Sequence, residues 1–245
     1  MTTPGPTPSR TLGLLGGMSW ESTAVYYRLL NQGVARRLGG LHSAKLLLHS
    51  VDFAPVAALQ AAGDWDGAAL MLAAAAAGLQ RAGAQALVLA TNTMHKVADR
   101  IEAASGLPLL HIADATGAAL QAAGVQHAAL LGTRFTMEDR SIVRTRLEHR
   151  FGLHVSVPGD EDRALMHRVI YEELCRGIVD AASRSAVRAI IERQRARGAQ
   201  AVVLGCTEIG LLIGADDSPL PVFDTTELHA DAAVCWLLGE PGAAP

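Results

Sequence analysis

Apolar positions along this chain fall into short unbroken runs separated by longer amphipathic stretches, which is the pattern of buried parallel strands alternating with helices. Strands are predicted near 11–16, 44–51, 86–90, 107–111, 127–132, 153–156, 201–205 and 221–223. Helices are predicted near 20–37, 64–82, 93–104, 137–150, 160–175, 181–197 and 226–238. Alternation of this kind implies parallel sheets with right-handed crossovers. Asp64 stands where an N-cap is needed, and Gly83 and Gly198 where helices hand over to strands.

The pattern also repeats. The run AGAQALVLAT at 82–91 returns as RGAQAVVLGC at 197–206, LGLLGG at 12–17 as AALLGT at 128–133, and LPLLH at 107–111 as LPVFD at 220–224. Three segments in the same order at one spacing of about 115 residues point to a duplicated unit. The expected fold is therefore α/β, with two similar domains related by a pseudo-twofold, each a mostly parallel sheet flanked by helices. The first is expected to span 11–104 plus 218–240 and the second 105–217, with 1–10 and 241–245 as flexible tails. Ligands in open α/β sheets sit beyond the carboxyl ends of the strands, so an active site in the interdomain cleft is expected.

Composition narrows the function. Of 245 residues, 50% are hydrophobic and 18% charged, enough apolar material for a large core, and the net charge of −3 carries no basic cluster of the kind nucleic acid requires. Three cysteines without a CxxC pair fit a reducing, cytoplasmic setting. Apolar stretches are too short to span a bilayer, and the amino terminus lacks the build of a signal peptide. The double glycine at 16–17 lacks the GxGxxG spacing, no Walker lysine follows, and the histidines show no metal-ligand spacing. No cofactor and no metal are expected. A homodimer is expected on general grounds of symmetry.

Both copies of the longest repeat end in chemistry. Thr91, Asn92 and Thr93 close one, and Cys206, Thr207 and Glu208 the other. A thiol at a strand end beside turning amides can have its pKa drawn below the ordinary ~8.5. The hydroxyls and the amide are suited to holding a carboxylate without adding charge. Cys175 and Cys235 fall within predicted helices and read as small buried apolar side chains.

GGMSWEST at 16–23, HSVDF at 49–53, TNTMHK at 91–96 and GCTE at 205–208 resemble the signatures of the aspartate/glutamate racemase family, over about residues 12–238. The resemblance implies cofactor-independent α-proton exchange on an acidic amino acid, with one base on each face. In most of the family both bases are cysteines. Here Cys206 matches one and Thr91 stands in place of the other, so proton transfer should be fast on the Cys206 face and slow on the Thr91 face. The matching cysteine serves the L enantiomer, which predicts a preference for L-aspartate or L-glutamate. The same resemblance assigns Asn92, Thr93 and Thr207 to the α-carboxylate, Arg163 to the distal carboxylate, and Met18 and Gln60 to the wall of the site. Gln60 is taken from a loop expected at 52–60. Glu208 and His95 are the expected supporting groups. The alternatives are a catalytically weak binding or regulatory protein for acidic amino acids, and another enzyme of the superfamily: a hydantoin racemase, a maleate isomerase or a malonate decarboxylase.

Overall fold

The computed structural model describes residues 10–240. The chain forms two compact units. The first contains residues up to Ala90, Val97–His111 and the chain from His229; the second contains Thr91–Lys96 and Ile112–Leu228.

The first unit is a four-stranded parallel sheet of β1 (Leu12–Gly16), β2 (Leu46–Ser50), β3 (Ala86–Leu89) and β4 (Leu109–Leu110), ordered β2-β1-β3-β4. The second repeats that order with β5 (His127–Gly132), β6 (His154–Ser156), β7 (Ala201–Gly205) and β8 (Val222–Asp224), as β6-β5-β7-β8. The duplication read from the sequence is thus also a duplication of topology.

Unbroken apolar runs are explained by what covers the sheets. Successive strand residues point to opposite faces. On β5, Ala129 and Leu131 join one apolar cluster with Met166, Ile170, Val187 and Ile190, while Ala128 and Leu130 join another with Ala113, Leu120 and Leu147. Both faces of this sheet are covered, so no polar alternation is tolerated. In the first unit, Leu12, Leu14 and Val88 pack with Tyr26, Leu30 and Val34 of α1 (Trp20–Leu38) and with Ala233, Val234 and Leu237 of α10 (Thr225–Leu238).

The remaining helices are α2 (Phe53–Ala62), α3 (Trp65–Arg81), α4 (Ala98–Ser105), α5 (Ile112–Ala122), α6 (Arg134–Glu138), α7 (Arg144–Phe151), α8 (Asp160–Arg168) and α9 (Ala181–Ala196). Asp64 caps α3 by accepting from Gly67 N at 2.8 Å. Gly83 and Gly198 adopt φ of 101° and 92°, the left-handed backbone that suits glycine at a helix exit. The expected loop at 52–60 is instead α2, with Asp52 as its N-cap, so Gln60 lies on a helix. The helix expected at 160–175 is α8 followed by a π-helical turn (Val169–Glu173) and a 3-10 turn (Leu174–Arg176).

The domain boundaries differ from the sequence expectation. β8 pairs with β7 in register Val202↔Val222, so residues 218–228 belong to the second unit rather than the first. β4 pairs with β3, so 105–111 belong to the first. Each fourth strand stays with its own sheet, but the helix after it does not: α5 lies in the second unit and α10 from His229 onward in the first. Of the expected tails, 1–9 and 241–245 lie outside the described residues. Arg10 is held, donating to Trp236 O at 2.9 Å with its guanidinium over the Trp236 ring.

Candidate active site

In the first unit, the 16–23 motif is a turn locked by its own side chains. Gly17 has φ of 93°, and a Cβ there would meet Val51 O at 2.2 Å, so only glycine fits. Its N–H donates to Thr23 Oγ1 at 2.8 Å, and that hydroxyl donates to Ser19 O at 2.8 Å. Ser19 caps α1. Val51 N, from the 49–53 motif, donates to Gly16 O at 3.0 Å. The two motifs therefore support each other. Met18 and Gln60 are both buried in this unit.

The second unit gathers the chemistry. The Cys206 thiol, at the carboxyl end of β7, donates to Glu208 Oε2 at 2.9 Å, and Thr207 Oγ1 donates to the same oxygen at 2.8 Å. All three side chains are buried. Burial, then the Glu208 charge, pushes the Cys206 thiol well above its ordinary range, although the Glu208 backbone amide pulls the other way. The amide expected from the sequence is present and is outweighed. A carboxylate, not a cation, faces the sulfur, so the resting group is a protonated thiol.

Cys175 and Tyr171 belong to the same environment. Burial and Glu208 raise the Cys175 thiol to about 12, and burial followed by the charges of Cys206 and Cys175 raises the Tyr171 phenol. Cys175 was expected to be an inert side chain within a helix. It does pack against the apolar cluster that includes Cys206, but from a 3-10 turn rather than a continuous helix.

The 91–96 segment is tied into the second unit by several side chains, among them Lys96, which pairs with Asp139. His95 Nδ1 donates to Thr91 O at 2.7 Å while its Nε2 accepts from Ile112 N at 3.2 Å, which makes it a neutral imidazole bracing the turn. Thr93 Oγ1 lies 3.3 Å from Thr133 Oγ1 and 3.2 Å from Thr136 Oγ1. Asn92 Nδ2 donates to Thr225 Oγ1 at 3.0 Å, and Thr225 in turn donates to Leu204 O at 2.7 Å, two residues before Cys206. Two successive hydrogen bonds thus link Asn92 to the main chain of β7 just before the 205–208 motif.

Arg163 is engaged elsewhere. It donates to Pro158 O at 2.9 Å and pairs with Asp160 at 2.7 Å and Glu138 at 3.4 Å. None of these partners belongs to the 91–96 or 205–208 motifs. Thr133, Thr136 and Thr225 were missed in the sequence. Thr133 had a signal, since the repeat aligns it with Gly17; Thr225 and Thr136 had none beyond residue type. A groove of about 640 Å³ lined by Gln126, His127, His154 and Gln200 opens at the other ends of β5 and β6 and contains no motif residue.

Among the described residues no helix is long and apolar enough to cross a membrane. The sequence model of the family described as Asp/Glu/Hydantoin racemase matches residues 15–233. A Yersinia pestis protein solved as a candidate Asp/Glu racemase is 55% identical, with a TM-score of 0.87 over 94% of this chain and 99% of its own. An aspartate racemase homologue from Pyrococcus horikoshii is 33% identical, with a TM-score of 0.79 over 94% and 100% of the two chains. The fold is shared with glutamate racemase from Francisella tularensis in complex with D-glutamate, at 14% identity and a TM-score of 0.65 over 97% and 84% of the chains. The chain belongs to the Asp/Glu/hydantoin racemase family and is an amino-acid racemase.

Proposed function

We propose that this racemase acts on aspartate and glutamate without a cofactor, exchanging the α-proton between Cys206 on one face and Thr91 on the other, and that it favours the L enantiomer. The observation that carries the reading is the Cys206 thiol seated on Glu208 at 2.9 Å, beside a hydroxyl-rich segment bonded into the same unit.

The chemistry follows from that pair. The S–H bond of Cys206 breaks as Glu208 Oε2 takes the proton, and the thiolate removes the α-proton of the L-substrate. The substrate's ammonium supplies a positive charge beside the Cys206 sulfur, where Glu208 supplies a negative one. Thr93 and Thr207 serve the α-carboxylate, where charge develops; a positioned donor at such a point contributes about 3 kcal/mol. Protonation from the opposite face falls to Thr91, whose O–H bond breaks as the α-carbon takes its hydrogen. Glu208 then gives up its proton to water and water restores the Thr91 hydroxyl, so the net change is inversion alone. The Thr91 hydroxyl does not titrate near neutral pH, so it returns protons slowly. Arg163 meets a distal carboxylate only by releasing Asp160 or Glu138.

The test is α-proton exchange in heavy water, followed by NMR for each enantiomer of aspartate and glutamate. The L forms are expected to lose their α-proton faster than the D forms, and Cys206→Ala to abolish that exchange. Faster loss from the D forms, or exchange that survives Cys206→Ala, refutes the assignment.

A further inference from the structure

The Asn92 side chain is buried, only 3% exposed, and its Oδ1 has no hydrogen-bond partner. Which atom of the amide is left over is fixed by its neighbour. Thr225 has one hydroxyl hydrogen and gives it to Leu204 O at 2.7 Å. Its oxygen can therefore only accept from Asn92, which must turn Nδ2 toward it, at 3.0 Å. The opposite amide orientation would set two acceptors against each other. A buried carbonyl oxygen without a donor is costly, and natural structures seldom leave one empty without a purpose.

The position of this orphan is informative. Asn92 lies between Thr91 and Thr93, in the segment that the proposed function places around the substrate. An orphaned acceptor repels a carboxylate and attracts a cationic N–H donor, and an α-amino acid carries one such donor, its ammonium. We infer that Asn92 Oδ1 receives the substrate's α-ammonium and that Thr225 is the positioning residue that holds the amide in that orientation. The inference rests on the acidic amino acid being the ligand, and it moves Asn92 from the carboxylate to the ammonium. It also gives the site a means of telling an amino acid from a plain dicarboxylate, since only the former fills the vacancy in hydrogen bonding.

The experiment compares binding of L-aspartate and of succinate, which has the same two carboxylates and no ammonium, by calorimetry. Asn92→Leu, of similar volume but without the acceptor, is expected to weaken aspartate about tenfold and leave succinate within about twofold. Thr225→Val is expected to raise KM for aspartate with less effect on kcat and to shrink the aspartate-over-succinate preference, while Thr225→Ser restores both. This second series keeps the test decisive if Asn92→Leu does not fold. Equal weakening of both ligands, or an unchanged preference in Thr225→Val, overturns the inference alone. Wild-type protein that binds no acidic amino acid overturns it together with the proposed function.

Discussion

Cys206 donates its thiol hydrogen to the carboxylate of Glu208, two residues on and equally buried, at 2.9 Å. The charge that holds the proton in place also opposes its loss, because a thiolate would share a dry space with an anion. In the proposed reaction the carboxylate nevertheless gives the proton somewhere to go when the substrate's ammonium arrives. Glu208 therefore sets the resting state of the sulfur.

Glu208→Gln keeps a hydrogen-bond acceptor and removes the charge. The Cys206 thiol should then ionise at lower pH. The check is the pH profile of iodoacetamide alkylation at Cys206, located by mass spectrometry. Racemisation should fall at the same time, since the proton acceptor is gone. A profile that does not move, or that moves to higher pH, contradicts the role given to Glu208.

Thr91→Cys replaces a non-titrating hydroxyl with a group that ionises near the working pH. General acid–base catalysis is worth roughly 10²- to 10⁴-fold, and part of that range should be gained in α-proton exchange from D-aspartate. Exchange from the L form should change much less. Chiral chromatography of the product, with heavy-water exchange on each enantiomer, reads the two faces separately.

His229 titrates against the fold. Fully buried, it accepts from Tyr26 Oη on Nδ1 at 2.9 Å and donates from Nε2 to Leu110 O at 2.7 Å. Burial lowers its pKa from 6.5 to about 4, against the opposing pull of the Leu110 carbonyl. As pH falls through that interval the unfolded chain takes up a proton that the folded one refuses. Stability is full above the upper limit and drops below it, by on the order of 3 kcal/mol. His229→Gln removes this contribution, so urea titrations between pH 4 and 7 should show it losing stability, relative to wild type, as the pH rises.

Asp224 has the opposite sign. Burial raises its carboxyl from 3.8 to about 6, even though Oδ1 accepts from Thr226 N at 2.7 Å and Glu227 N at 3.3 Å. The folded chain keeps a proton that the unfolded one has lost, so stability is highest below the lower value and falls as pH rises to the upper one. The change is again on the order of 3 kcal/mol. Asp224→Asn retains the capping oxygen without the charge and should be more stable than wild type at pH 7, with little difference at pH 4. Because Asp224 and His229 offset each other over much of the same interval, the wild-type profile should be flatter than that of either variant.

Much of this was legible in the chain. The strands of both sheets were readable because burial on two faces leaves no polar interruptions, and the repeat of 82–91 at 197–206 announced the shared strand order. Thr91, Asn92, Thr93 and Cys206 stand out in the sequence because they sit where apolar runs stop. What was missed depended on the third dimension. Helix α2 follows an Asp52 N-cap with nearly uniform apolar residues and shows no amphipathic period. The acidity of Cys206 was read with the wrong sign because Glu208 folds back onto the sulfur, which spacing alone does not reveal. Thr225 lies 133 residues from Asn92, beyond the reach of any local motif.

The exchange of closing helices means that neither half of this polypeptide is a module. A fragment ending at 111 keeps all four strands of the first sheet but lacks Ala233, Val234 and Leu237, the side chains that cover Leu12, Leu14 and Val88. A fragment starting at 112 keeps the second sheet and forfeits the turn carrying Thr91, Asn92 and Thr93. Gene dissection at the point of internal symmetry should therefore yield two insoluble products when each is expressed alone. An ancestor encoding one copy would have needed a twin chain to lend it a helix.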